Sequence, residues 1–270
     1  METYKARLRP IENDNEEVEQ KTTPIQRKDR LLTQLRPVCF QVGVVSQAFG
    51  SAYVEVENTK VICSVWPPRS NVQSRYSDSG RLWCDFKYAP FAQAQRRTRG
   101  QNPDERQLSL DLVNAIAVSI QLDKFPKSVL EVYVVVLEDG GNVLSTAISG
   151  VSLALASAGV EMYDIVAACN VAKIGNQLYI DPSHTELARA EGTMLLGFMP
   201  SLQQITYVTQ TGSLTAQDTA QMVDLGLDGC AKVQLLMKQI LTATAKRQFT
   251  LNTEHDQATN VKRLRVNDSV

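Results

Sequence analysis

The chain has 270 residues, 43% of them hydrophobic and 21% charged, with 28 Lys and Arg against 29 Asp and Glu. That length allows one large domain or two of ordinary size, and the apolar fraction excludes a chain disordered throughout. The near-zero net charge gives no global attraction to nucleic acid, no apolar run reaches the length of a membrane span, and the amino terminus lacks the hydrophobic region of a secretory signal, so a soluble intracellular protein with no membrane partner is expected.

Residues 1–30 are polar, carry the acidic cluster Glu12–Glu19 and show no sustained periodicity, so they are expected to form a mobile arm. Order is expected over 31–247. Val38–Val45, Ser51–Val56 and Lys60–Trp66 are strand candidates, with turns at Ala48-Phe49-Gly50 and Glu57-Asn58-Thr59, which together predict an antiparallel meander. Pro67–Gly80 reads as a surface loop, and Arg81–Tyr88 alternates as a fourth strand. Pro90–Gln101 is a basic loop containing Arg96-Arg97-Thr98-Arg99. Asn102-Pro103-Asp104-Glu105 then carries helix-start chemistry, with Asn102 as cap, Pro103 at the first helical position and Glu105 completing a capping-box-like pair. The helix is expected to run through Leu112, Ile116 and Ile120 and to stop before Pro126.

Val129–Leu137 is β-branched and apolar enough for a buried strand. Val143–Ala158 is rich in small residues and places Leu144, Ile148, Val151, Leu155 and Ala158 on one helical face. Between them stands Glu138-Asp139-Gly140-Gly141-Asn142. A glycine pair between a strand and a helix can cradle an anion with backbone N–H groups, but this one has two carboxylates in front of it. Further on, Ile165–Ile174 and Gln177–Ile180 read as a hairpin about Gly175-Asn176. Thr185–Glu191 reads as a connecting segment, and Thr193–Phe198 and Gln204–Thr209 as strands. Thr215-Ala216-Gln217-Asp218 caps a long last helix, and residues 248–270 are expected to be a polar tail. The order strands, helix, strand, helix, strands, helix places the chain in the α/β (α+β) class, with sheet-plus-helix units duplicated in outline and mixed sheets covered by helices.

Chemistry is sparse. The five cysteines, Cys39, Cys63, Cys84, Cys169 and Cys230, form no Cys-x-x-Cys pair and read as buried thiols in a reducing compartment. With only His184 and His255 beside them, no metal site is expected. No zinc-protease, nucleophile-elbow, Walker or dinucleotide motif occurs, and Asp78, Asp85, Asp181 and Glu191 assemble no carboxylate pair by spacing.

Several stretches together resemble the RNase PH family. They are Gly43-Val44-Val45-Ser46-Gln47-Ala48-Phe49-Gly50-Ser51-Ala52-Tyr53, Tyr88-Ala89-Pro90-Phe91, Ser152–Val160, Met199–Gln204 and Thr211–Thr215, in order over roughly residues 30–245. Leu35-Arg36-Pro37-Val38 and Gly159–Asp164 narrow the likeness to ring subunits of the eukaryotic RNA exosome. The resemblance implies an RNase PH-like fold (ribosomal protein S5 domain 2-like). It also implies a six-membered ring shared with other RNase PH-like exosome subunits, S1/KH-type cap subunits, an associated hydrolytic exoribonuclease, and RNA. The expected locations are nucleus, nucleolus and cytoplasm.

Active members of the family use phosphate to cleave RNA 3′ ends, with cationic donors for phosphate and an acid near the leaving oxygen, usually with magnesium. At the matching positions this sequence departs. The two family aspartates become Leu187 and Thr193, the Arg-Arg pair becomes Glu105-Arg106, and the hydroxyl residue after the glycines is Asn142, with Asp139 ahead of them. The resemblance therefore implies a non-catalytic scaffold without cofactor or metal, whose former phosphate loop is Gly140, Gly141 and Asn142. Arg96, Arg97, Arg99 and Arg106 are the candidates for meeting RNA phosphates. The alternative is an active phosphorolytic 3′–5′ exoribonuclease in which Glu191 substitutes for the lost acid.

Overall fold

The computed structural model describes residues 27, 30–70, 79–93, 96 and 102–267, apart from the side chains of 70 and 248–267. The first unit opens with β1 (Val38–Val42), β2 (Gly50–Val56) and β3 (Thr59–Ser70), the expected antiparallel meander. β1 stops at Val42 rather than Val45 because Gly43 takes a positive φ of 78°. β3 runs on through Pro67 and Pro68, which the sequence had suggested were loop. A register shift between Trp66 and Arg69 accommodates two residues that have no N–H to give to a ladder. Residues 71–78 of that expected loop lie outside the described residues.

β4 (Arg81–Tyr88) leads through α1 (Pro103–Ala117) and a short 3-10 turn to β5 (Ser128–Glu138), which it pairs in parallel. The five-stranded sheet, ordered β1-β2-β3-β5-β4, is therefore mixed. α1 ends earlier than its apolar pattern suggests. Ile120 leaves the helix and makes an isolated bridge with Met162. Asn102 does occupy the cap position with Pro103 behind it, yet it makes no side-chain capping bond.

The second unit contains β6 (Ala167–Ile174), β7 (Gln177–Ile180), a four-residue helix α3 (His184–Leu187), β8 (Gly192–Met199) and β9 (Gln204–Gly212). Its sheet, ordered β7-β6-β8-β9, is antiparallel throughout, so only the first sheet is mixed. Both of its hairpin connections are short, which permits no parallel crossover. Gly175 alone takes a positive φ at the β6–β7 turn, the pattern of a type II′ hairpin. The last helix, α4 (Ala216–Asn267), begins as expected. Thr215 Oγ1 accepts from the Asp218 N–H at 3.2 Å and Asp218 Oδ2 accepts from the Thr215 N–H at 3.3 Å. It continues to Asn267, past the tail boundary placed at 248.

Between the two sheets runs α2 (Val143–Ser157). The sequence suggested a one-sided apolar face, but the helix is buried almost all round from Val143 to Leu155. It packs on β2 and β3 on one side and β6 on the other. A helix in that position must be thin and must satisfy its polar groups internally. Small residues meet the first demand. The serines meet the second: Ser149 Oγ accepts from the Ala168 N–H at 3.1 Å, and Ser152 Oγ from the Val166 N–H at 2.9 Å. On the other side, Gly150 lets the helix approach the first sheet. A Cβ there would stand 2.8 Å from Cys63 Sγ and 2.9 Å from Val54 Cγ2.

Four of the cysteines are buried, and desolvation pushes the Cys84 and Cys230 thiols up to about 12. Cys39 is exposed on β1, contrary to its apolar sequence surroundings.

Gly150→Ala should overpack the interface between α2 and the first sheet and cost about 1–3 kcal/mol of stability, measured by urea denaturation.

A cleft above the glycine loop

The loop between β5 and α2 is shaped by one buried cation. Arg36 Nε and Nη2 donate to Asp181 Oδ2 and Oδ1 at 3.0 and 2.7 Å. The same guanidinium donates to the carbonyls of Gly140 and Gly141, each at 3.3 Å. Thr59 Oγ1 donates to the Gly141 carbonyl at 2.8 Å, and the His184 N–H to the Gly140 carbonyl at 3.0 Å. Both glycine carbonyls thus turn inward. Gly141 does this at φ +100°, where a Cβ would lie 2.9 Å from the His184 nitrogen, so no other residue fits.

Asn142 follows in the left-handed region at φ 59° and caps α2 without a side-chain capping bond. Its side chain points into the buried network instead. Nδ2 donates to Asp181 Oδ1 at 2.9 Å and to the Pro182 carbonyl at 2.8 Å, while Oδ1 accepts from Asn170 Nδ2 at 2.6 Å. Asp181 is therefore surrounded by donors. Burial alone would raise its pKa, but the Arg36 and Asn142 hydrogen bonds outweigh it and hold the carboxyl below its ordinary value. Beside it, Arg27 Nε and Nη2 donate to Glu186 at 2.7 and 2.8 Å, and Arg27 stacks over Tyr179. Arg30 joins the same carboxylate at 3.3 Å. Burial opposes ionisation of Glu186 as well, and Arg27 with the Ser183 N–H overcomes it. Arg27 and Arg30, which the sequence placed in a mobile arm ending at residue 30, are thus anchored to the second unit.

Above the loop opens a cleft of about 460 Å³, walled by the start of α2, by α3 and by β8. Leu144, Leu187 and Leu195 supply apolar walls, and Asp139, Asn170 and His184 supply the polar groups. Among the described residues that line it there is no Lys or Arg. Asp139 has turned back on the cradle: its Oδ1 accepts from the Gly141 N–H at 3.1 Å and its Oδ2 from Gln93 Nε2 at 2.8 Å. An N–H that could face an external anion is already bonded to an internal one.

The sequence-predicted residues divide as follows. Gly141, Asn142 and Leu187 line the cleft, whereas Gly140 stands behind it through its carbonyl bonds. Thr193 does not line it. It lies on the same strand face as Leu195, two residues along β8, and its hydroxyl bonds Thr211 Oγ1 at 2.6 Å. Glu191 is not in the lining either; its N–H donates to the Lys173 carbonyl at the start of β8. His184, which the sequence assigned no role, stands at the cleft wall.

Glu105 is turned to the edge of the first sheet. β4 is the outermost strand of its sheet, and Glu105 Oε1 accepts its Tyr88 N–H at 3.3 Å while Ser109 Oγ accepts its Phe86 N–H at 3.1 Å. These two side chains of α1 cover a strand edge that could otherwise pair with another chain. Arg106 is exposed on the same helix and lines a separate groove between β4 and α1. Arg96 is exposed, while Arg97 and Arg99 lie outside the described residues. Among the described residues no group of three or more His, Cys, Asp or Glu could hold a metal ion.

Sequence reasoning missed Arg36 and paired Asp181 with nothing. The available signal was an arginine at the head of an apolar strand and an aspartate directly after Leu178-Tyr179-Ile180. Only the fold shows that these two meet.

The model of the 3′ exoribonuclease family, domain 1, matches residues 34–161, and that of its domain 2 matches residues 164–229. The chain is 42% identical over 213 residues to an exosome complex component RRP41-like of Arabidopsis thaliana, covering 78% of this chain and 82% of the relative. It is 37% identical over 234 residues to exosome complex component MTR3 of Homo sapiens, covering 80% and 86%. The crystal structure of rice (Oryza sativa) Rrp46 superposes with a TM-score of 0.70 at 19% identity, covering 79% of this chain and 98% of that one, which confirms the RNase PH-like fold.

Asp181→Ala leaves Arg36 buried and unpaired and should cost about 3–5 kcal/mol in urea denaturation. Because the folded carboxyl titrates below its unfolded value, its contribution is complete above about pH 4 and is lost as pH falls through the lower folded value. The wild type should therefore lose stability more steeply than Asp181→Ala when the pH drops below about 4.

Proposed function

This chain belongs to the 3′ exoribonuclease (RNase PH) family, and from that membership we propose that it is a non-catalytic ring subunit of an RNA exosome, scaffolding the complex and helping to guide RNA for 3′–5′ processing and degradation. The relatives named exosome components support the assembly half of this reading. In it the chain pairs with other RNase PH-like subunits in a six-membered ring, beneath S1/KH-type cap subunits and beside a hydrolytic exoribonuclease. It works where exosomes work, in nucleus, nucleolus and cytoplasm.

The observation that carries the non-catalytic half is the electrostatics of the cleft. Phosphorolysis requires a bound phosphate and an acid near the leaving oxygen. Here a carboxylate occupies the glycine-loop N–H, no Lys or Arg stands among the described lining residues, and Leu187 is apolar. At close range in a partly desolvated cleft, Asp139 would repel an entering phosphate by Coulomb interaction. Neither Leu187 nor Thr193 carries an ionisable acid, and Glu191 is outside the lining.

Guidance of RNA falls to the basic loop. One end is tied to the cleft, through Gln93 bonded to Asp139, and the other is Asn102 at the head of α1, in the separate groove between β4 and α1. Arg96, Arg97 and Arg99, with Arg106 on the helix, would contact backbone phosphates without reading sequence.

Two measurements test this reading. The chain in its reconstituted ring, given RNA, phosphate and magnesium, should release no nucleoside diphosphate above a phosphate-free control. Release that disappears with Glu191→Gln would overturn the non-catalytic role. Replacing Arg96, Arg97 and Arg99 together with Glu should weaken RNA crosslinking to the ring. It should also lower the slope of log affinity against log salt by about 2, at ~0.7 per phosphate contact for single strands. An unchanged slope would remove the loop from the RNA path.

A further inference from the structure

We propose that the cleft above the glycine loop is a socket for an arginine side chain presented by a protein partner. The inference rests on the non-catalytic reading of the same cleft. Its walls favour a stem of methylene groups, since Leu144, Leu187 and Leu195 line it. Its charge favours a cation, since Asp139 is the carboxylate in the lining and no Lys or Arg stands among the described lining residues.

Asp139 is also held ready. The Gly141 N–H at 3.1 Å and Gln93 Nε2 at 2.8 Å fix the carboxylate, so little side-chain freedom is lost when a ligand arrives. Those two bonds use two of roughly four acceptor positions, which leaves capacity for a guanidinium. Of the two common cationic side chains, arginine suits the site better. It is the more weakly hydrated, and it matches a carboxylate with a planar fork. At about 460 Å³ the cleft has room for that side chain together with an apolar neighbour from the partner.

The test uses the full chain labelled with ¹⁵N-glycine. Three probes are added separately: N-acetyl-L-arginine amide, N-acetyl-L-leucine amide and inorganic phosphate. The arginine amide should shift the Gly141 resonance saturably and more tightly than the leucine amide, and phosphate should leave it in place. Asp139→Asn should weaken arginine binding about tenfold, the loss expected for one charge-assisted pair. Leu187→Lys, which puts an ammonium in the wall, should abolish it. No saturable shift in the wild type overturns the proposal, and so does equal binding by the wild type and both variants; either result leaves the non-catalytic reading standing. Phosphate that binds at Gly141 and displaces the arginine amide also overturns it. If that binding comes with nucleoside diphosphate release by the ring, the functional reading fails as well.

Discussion

Arg36 and Asp181 are separated by 145 positions in the chain and meet in an almost dry interior, at 2.7 Å. Removing two such charges from water is costly, and their attraction compensates only when further hydrogen bonds support the pair. Here all three guanidinium nitrogens and both carboxylate oxygens are engaged. The guanidinium takes the Gly140 and Gly141 carbonyls, and the carboxylate takes Asn142 Nδ2 and the Arg36 backbone N–H. The pair thereby joins the head of β1, the β5–α2 loop and the end of β7. It locks the two units to each other through the glycine loop.

This accounts for a glycine loop whose shape is held from within. The inward carbonyls are held by Arg36 and Thr59, so Gly141 remains necessary for backbone reasons alone. The outward side has been rewired locally: Asp139 bonds the Gly141 N–H two residues away, and Asn142 turns from the helix end into the buried network. Backbone geometry and anion affinity are separable properties, the first depending on packing and φ angles, the second on nearby charge.

The same separation appears at Glu105. A carboxylate opening a helix suggests dipole complementarity and repulsion of phosphate, and its position in sequence supports both. In three dimensions its oxygen covers an outer N–H of β4, and Ser109 covers another. Central α2 shows a comparable economy, with Ser149 and Ser152 satisfying the backbone of β6 from within the core.

Much of the architecture was legible in the residues. Alternation and turn residues marked the meander, Asn102-Pro103 and Thr215–Asp218 marked helix starts, and the quoted stretches pointed to the family, because these signals act over a few residues and need no distant partner. That Leu187 and Thr193 cannot ionise is likewise legible wherever they are placed, since it belongs to the side chains themselves. Tertiary structure alone decided what depends on meetings across the chain. It buried α2 on both sides, carried β3 through two prolines, joined Arg36 to Asp181 and Arg27 to Glu186, and took Glu105 and Glu191 out of the cleft while bringing His184 in. Burial and electrostatics depend on distance in space, and separations above a hundred residues leave no periodicity to read.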